Sequence, residues 1–397
     1  MTPEFTKCPP TARCNPTPFQ VSVPESQLEE LRQLLKLSKI GPKTFETEQS
    51  GADFGITRDW LIQAKAEWEA FNWRTVEDKI NGLPNFKIPI QEKNDTFDVH
   101  FVALFSQRSD AIPILLLHGW PGNFMEFSYI LNYLARTYTP ETLPYHLVVP
   151  SLPGYAFSSP PPLTRDFQLQ NIASIMNSLM VELGFEGGYA VQGGDIGSKV
   201  CRVMAATYDT VKAIHINFCI MPRPQFVESL NISYTERKGI ERFEEFKRLG
   251  SAYALIHATK PSTIGLVLAA NPLSLLAWIG EKFLAWTDED PPLDDILSSV
   301  SLYWLTETFP RSIYPYRQLF TPGVIGAHEN PEWFIKKPFG FSFFPKELAP
   351  IPRAWAATTG KLVFYREHRS GGHFAAMERP LVLLKDLEDF LAEVWKQ

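Results

Sequence analysis

Gly193-Gly194-Asp195-Ile196-Gly197 follows the strand-like run Tyr189-Ala190-Val191-Gln192 and leads into the helix-like run Gly197-Ser198-Lys199-Val200-Cys201-Arg202-Val203-Met204-Ala205-Ala206. A strand that turns sharply into a helix needs small residues around the turning position, and it lifts that one side chain above the sheet on a strained backbone. The lifted side chain here is a carboxylate. A carboxylate that attacks a saturated carbon forms an ester, whereas an alkoxide suits attack on a carbonyl. The pentapeptide therefore predicts displacement at an alkyl carbon followed by hydrolysis of the protein's own ester. In isolation the same string also describes an acid capping a helix in a glycine turn, so the rest of the chain has to decide.

Outward from this turn the chain alternates short apolar runs with longer helical ones, which implies a mostly parallel sheet covered by helices on both faces. Strands are expected at 97–105, 112–117, 146–150, 189–192 and 211–218, with helices at 123–136, 167–183 and 197–208 between them. The alternation stops near Met221. Residues 222–330 are helical and rich in aromatics, with helices expected at 236–258, 272–286 and 293–308, as an inserted cap or lid between two halves of one sheet. Strands resume at 339–344 and 362–365, and a helix at 379–396 closes the chain. Residues 1–95 show no clear sheet pattern and read as an N-terminal extension packing on the core, with an amphipathic helix at 26–37 and a helical stretch carrying Trp60, Trp68 and Trp73. The expected organisation is thus an extension (1–95), a first core half (96–221), a cap (222–330) and a second core half (331–397).

A carboxylate nucleophile needs a base for the second step. Folds with this elbow place nucleophile, acid and histidine in that chain order, the last two on loops after late strands. Asp195, Glu347 and His373 satisfy the order: Glu347 lies in the turn Pro345-Lys346-Glu347, and His373 in Ser370-Gly371-Gly372-His373-Phe374. Histidine titrates near neutrality and suits proton abstraction from water, while a carboxylate behind it fixes the tautomer and stabilises the imidazolium. Glu367 is the weaker competitor for that acid, and Cys219-Ile220-Met221, after the strand at 211–218, offers none. Ester hydrolysis also needs N–H donors for a tetrahedral oxyanion. His118-Gly119-Trp120-Pro121-Gly122 follows the strand at 112–117, so the backbone N–H groups of Trp120 and Ile196 are assigned to an oxyanion hole.

These residues carry a family resemblance. The chain resembles epoxide hydrolases of the α/β-hydrolase fold, in the microsomal-type branch and closest to its soluble fungal members, through His118-Gly119-Trp120-Pro121, Gln192-Gly193-Gly194-Asp195, a late glutamate, Gly371-Gly372-His373-Phe374 and the long N-terminal segment. The N-terminal helix that holds mammalian members to membrane is not expected here, and Ile196 stands where many relatives have tryptophan. The resemblance implies hydrolysis of apolar aryl or alkyl epoxides to vicinal diols, in detoxification of xenobiotics, without a cofactor. It also implies two cap tyrosines that protonate the epoxide oxygen. By local match these are Tyr253, in Ser251-Ala252-Tyr253-Ala254, and Tyr316, in Ile313-Tyr314-Pro315-Tyr316-Arg317, with Tyr314 as the neighbouring alternative.

Composition narrows the field further. A chain of 397 residues with 45% hydrophobic content can bury a large core, and a formal charge of -6 with no long basic cluster argues against nucleic-acid binding. Cys8, Cys14, Cys201 and Cys219 form no C-x-x-C pair and suggest free thiols in a reducing, cytoplasmic setting. No signal peptide or membrane anchor is expected; the apolar stretch at 264–280 is interrupted by Asn271, Pro272 and Ser274 and reads as two helices joined by a turn. The expected partners are a small epoxide and water, with a homodimer left open, and no cofactor or metal motif occurs. A serine esterase would need G-x-S-x-G, and the nearest string, Gly340-Phe341-Ser342-Phe343-Phe344, lacks the closing glycine. A haloalkane dehalogenase shares the aspartate but typically holds the halide with an indole after the nucleophile, where Ile196 has no side-chain donor. A catalytically dead scaffold binding a hydrophobic ligand would usually lose a triad member, and all three have candidates here.

Overall fold

The computed structural model describes residues 4–49, 54–225, 232–321, 323 and 325–396. A nine-stranded sheet organises them: β1 (Thr17–Pro18), β2 (Asn85–Glu92), β3 (Asp95–Leu104), β4 (Ile112–Leu117), β5 (Tyr145–Pro150), β6 (Tyr189–Gly193), β7 (Val211–Ile216), β8 (Ile335–Phe343) and β9 (Gly360–Glu367). The spatial order is β1-β2-β3-β5-β4-β6-β7-β8-β9. Pairing is antiparallel from β1 through the β3–β5 contact and parallel from β5 to β9. This is the α/β-hydrolase fold, a mostly parallel sheet with helices on both faces.

The parallel strands read as continuous apolar runs because both their faces are covered. In β4, Leu115 and Leu117 join one core cluster with Leu169, Met176 and Val200 of the helices Leu169–Glu182 and Asp195–Thr207. Ile114 and Leu116 join a second cluster with Leu134 of the helix Ser128–Thr137 and Leu387 of the helix Pro380–Val394. Between β5 and β6 the chain order reverses around β4, so the loops after β4 and β6 meet at the carboxyl ends of adjacent strands. Such a crevice is where ligands of open α/β sheets bind.

The extension departs from the sequence expectation, because β1 and β2 lie within it and join the sheet. Phe86, Ile88 and Ile90 alternate inward with period two, but Pro89 breaks the pattern to the eye. The proline is tolerated because β1 pairs only with Phe86 and Lys87, leaving the outer edge of β2 open at residue 89. The extension also holds the cap: Trp68 Nε1 donates to Ser301 Oγ at 2.8 Å, and Asn271 Nδ2 donates to Ser38 Oγ at 2.8 Å.

Between β7 and β8 the cap comprises the helices Tyr234–Glu245, Ala252–Thr259, Pro261–Ala269, Pro272–Trp286, Leu293–Leu305, Thr308–Ser312 and Pro315–Phe320. The single helix expected at 236–258 is broken. A wide turn over Phe246–Gly250 and a break in the helix at Ser251 interrupt it, and Tyr253 just beyond the break is buried. The apolar stretch at 264–280 is two helices bent by 117°, and no single helix among the described residues is long and apolar enough to cross a membrane. Ser342 stands in β8, buried, with Oγ 3.0 Å from His215 Nε2 and bonded to Asp386, so it braces the closing helix rather than an elbow.

The helix carrying Asp195 runs so close to the end of β4 that a Cβ on Gly197 would lie 2.2 Å from the Leu117 carbonyl oxygen. Backbone cannot yield as a side-chain end can. Gly197→Ala should therefore cost at least about 2–3 kcal/mol of unfolding free energy, measured by urea denaturation, and an unchanged midpoint would refute the close approach.

Candidate active site

Asp195 occupies the turn itself, with φ of 38°, a left-handed conformation that costs an ordinary residue about 1–3 kcal/mol. The sharp strand-to-helix turn puts the carboxylate between the loop after β4 and the loop bearing His373. Trp120 N donates to Asp195 Oδ1 at 2.7 Å, and a Cβ on Gly119 would sit 2.3 Å from that oxygen, so glycine is required for the loop to approach. Ile196 is in the first helical turn, where backbone N–H groups have no acceptor within the helix.

His373 Nε2 lies 3.5 Å from Asp195 Oδ2, and its Nδ1 is 2.5 Å from Glu347 Oε1. The imidazole thus sits between two carboxylates. Its loop is pinned from several sides: His373 N donates to the Trp286 carbonyl at 2.9 Å, and Lys346 N donates to the Gly371 carbonyl at 3.0 Å. The Phe218 and Trp286 rings meet the imidazole edge-on at 5.3 and 5.1 Å. Glu347 is held by the cap, since Arg242 donates from Nε to the Glu347 carbonyl at 2.8 Å and from Nη2 to the Lys346 carbonyl at 2.9 Å. Glu367, the competing acid, is exposed at the end of β9.

On the other side of the carboxylate, Tyr253 and Tyr316 line one cavity with Asp195, Ile196, Lys199 and Phe218. Their rings stand 5.8 Å apart, and both are buried. Tyr314 points elsewhere: its hydroxyl donates to the Pro153 carbonyl at 3.0 Å. Burial, then the Asp195 charge, push the Tyr253 hydroxyl well above its usual pKa. Burial, Tyr253 and Asp195 do the same for Tyr316, so both phenols hold their protons at neutral pH. Burial alone would raise Asp195, but the His373 hydrogen bond, the Lys199 and His373 charges and the Trp120 N–H outweigh it and keep the acid ionised.

Two groups at the site, buried Lys199 and half-buried Glu126, had no part in the sequence reading. Lys199, four residues after Asp195 on one helix face, is 3% exposed, with Nζ 4.8 Å over the Phe218 ring. The i, i+4 spacing was the available signal. Glu126 approaches from the loop after β4, three residues after Asn123, with which it forms a capping box. It does accept from Asn123 N at 3.1 Å, but it also lines a cavity with Asp195 and His373.

Comparison with known proteins bears on what this site is for. A family model described as the epoxide hydrolase N terminus matches residues 16–127, and one for the alpha/beta hydrolase fold matches residues 112–228. Epoxide hydrolase 1 of Oryctolagus cuniculus is 31% identical over 417 residues, spanning 96% of this chain and 89% of its own length. The chain belongs to the epoxide hydrolase family. The structure of Aspergillus niger epoxide hydrolase is similar with a TM-score of 0.94 and 52% identity, covering 99% of this chain and all of that one. The juvenile hormone epoxide hydrolase of Bombyx mori is similar with a TM-score of 0.85 and 25% identity, covering 99% of each chain.

In this epoxide hydrolase the charge of the histidine is coupled to stability. Burial alone would lower the His373 pKa, but the Glu347 charge and hydrogen bonds to Asp195 and Glu347 raise it from 6.5 to about 10. A histidine raised in the folded state stabilises fully below its unfolded pKa and loses that contribution as pH rises through the folded value. The gap in unfolding free energy between wild type and His373→Gln should be widest below pH 6.5 and shrink toward about pH 10. Urea titrations across that window check it, and a pH-independent gap would rule out the resting imidazolium.

Proposed function

We propose that the enzyme converts apolar aryl or alkyl epoxides to vicinal diols through a covalent ester on Asp195. The observation that carries this is the placement of one ionised carboxylate between two protonated phenols and a histidine–carboxylate pair. Asp195 Oδ2 attacks a ring carbon, the carbon–oxygen bond of the ring breaks, and Tyr253 or Tyr316 gives its proton to the departing oxygen. Asp195 Oδ1, already bonded to Trp120 N–H, becomes the ester carbonyl oxygen.

Ester formation removes the Asp195 charge, and with it one of the influences that holds the imidazole protonated. The imidazolium then gives its proton to the tyrosinate left by ring opening, and the neutral His373 becomes a base for water, with Glu347 stabilising the imidazolium that re-forms. The water oxygen bonds to the ester carbonyl carbon, and the N–H groups of Trp120 and Ile196 hold the oxyanion. Collapse breaks the bond from that carbon to the diol oxygen. One proton of the water reaches the diol through His373, and the other, left on the Asp195 carboxyl, returns to His373 as its resting imidazolium proton, so atoms and charge balance.

The wall of the cavity supports an apolar substrate, since Phe218, Ile220, Phe246, Phe320 and Leu348 line it beside Asp195, Lys199, Tyr253 and Tyr316. Two phenols favour oxygen as the leaving atom, and Ile196 has no side-chain donor for a halide. The four cysteines are free thiols, which accords with detoxification in a reducing, cytoplasmic setting.

His373→Gln should alkylate without turnover, leaving a stable adduct on the peptide containing Asp195 by mass spectrometry. Unmodified protein, after incubation with styrene oxide that wild type consumes, would contradict the assignment. Tyr253→Phe and Tyr316→Phe should each slow alkylation about tenfold or more, because each removes one proton donor. Diol formation on styrene oxide measured beside halide release from a chloroalkane separates the two leaving-group classes; only the first should be detected.

A further inference from the structure

Behind the nucleophile, on the His373 side, lies a second small cavity that the ring-opening step does not use. Gly119, Gly122, Glu126, Gln192, Asp195 and His373 line it. It measures about 20 Å³, and one water needs roughly 10–15 Å³ by the same measure. Gln192 is 1% exposed; its Nε2 donates to Asn217 Oδ1 at 2.9 Å, while its Oε1 has no hydrogen-bond partner among the described residues. A buried acceptor left without a donor costs about 1–3 kcal/mol, so a donor is expected to reach it. Glu126 brings a second acceptor: a Cβ on Gly122 would be 1.4 Å from Glu126 Oε1, so that glycine is what lets the carboxyl lie against the loop.

We propose that this cavity is the subsite of the hydrolytic water, and that Glu126 and Gln192 are the residues that position it against the Asp195 ester. The inference rests on the covalent mechanism proposed above. One water hydrogen points to His373 Nε2 and is transferred there, the other is held by a carboxyl oxygen of Glu126 or by Gln192 Oε1, and the water lone pair faces the ester carbonyl carbon. Glu126 forms no bond to carbon and releases no proton in the cycle.

Burial raises Glu126 to a pKa of about 8, the His373 charge opposes the rise, and the Asp195 charge adds to it. The Tyr155 and Tyr303 phenols also feel the Glu126 charge. A purely structural role is the competing account, because Glu126 completes a capping box with Asn123. Glutamine keeps that cap, since its carbonyl oxygen accepts from Asn123 N as the carboxylate does.

Single-turnover kinetics on styrene oxide, with tryptophan fluorescence and quenched-sample mass spectrometry, separate ester formation from ester breakdown. In Glu126→Gln, ester formation should stay within about twofold of wild type while breakdown slows about tenfold or more, so the ester accumulates. Glu126→Asp, which retains the carboxyl, should recover part of the loss. If Glu126→Gln fails to fold, Gln192→Met is expected to show the same split. Equal breakdown rates in variant and wild type, or equal slowing of both steps, would overturn the water-positioning role while leaving the ester mechanism standing. No ester in wild type or in any variant would overturn both.

Discussion

The site depends on how closely two pieces of backbone pass at the carboxyl ends of β4 and β6. Asp195 is held in a left-handed conformation, and the helix behind it nearly touches the Leu117 carbonyl. Only because Gly119 and Gly197 lack side chains can the loop after β4 press its Trp120 N–H onto the carboxylate. The same contact that strains the turn supplies the donor that stabilises charge there. Strain at such a turn persists because the surrounding packing over-determines it.

From that point the chemistry is a matter of one charge moving. At rest two carboxylates flank one imidazole, so the histidine is protonated and the nucleophile is ionised. In the proposed cycle, neutralising Asp195 as an ester weakens the hold on the imidazole proton. In that proposal the step that opens the ring prepares the step that hydrolyses the ester. The phenols on the opposite side stay protonated because burial and the aspartate charge both oppose their ionisation.

The cap and the extension serve this arrangement from a distance. Arg242 reaches from the cap to fix the backbone of Glu347, and Trp286 fixes the backbone of His373. Trp68 and Ser38 in turn tie cap helices to the N-terminal segment. A segment far from the nucleophile in sequence therefore helps set the cap that encloses it, and enclosure strengthens each charge interaction by excluding water.

Much of this was legible in the order of residues, because a strand-to-helix turn with glycines around one acid is a local pattern, as are the apolar runs of the parallel strands. The elbow, the chain order of Asp195, Glu347 and His373, and the insertion after β7 all came from spacing and composition. What escaped was decided by approach in space. β2 was hidden by Pro89, whose tolerance depends on how short its neighbour β1 is. The break after Phe246 lies in a segment whose residues all favour helix except Gly250, and it is packing that turns Tyr253 inward. Tyr314 and Tyr316, two residues apart, differ only in that one hydroxyl is spent on the Pro153 carbonyl while the other ring lines the cavity with Asp195. Sequence alone marked the elbow at Asp195 and the chain order of Glu347 and His373 after it, because bonded geometry and glycine content act locally. Which phenols, which buried carboxyl and which amide face the nucleophile was settled only by the tertiary structure, because desolvation and hydrogen bonding depend on neighbours that the chain brings from elsewhere.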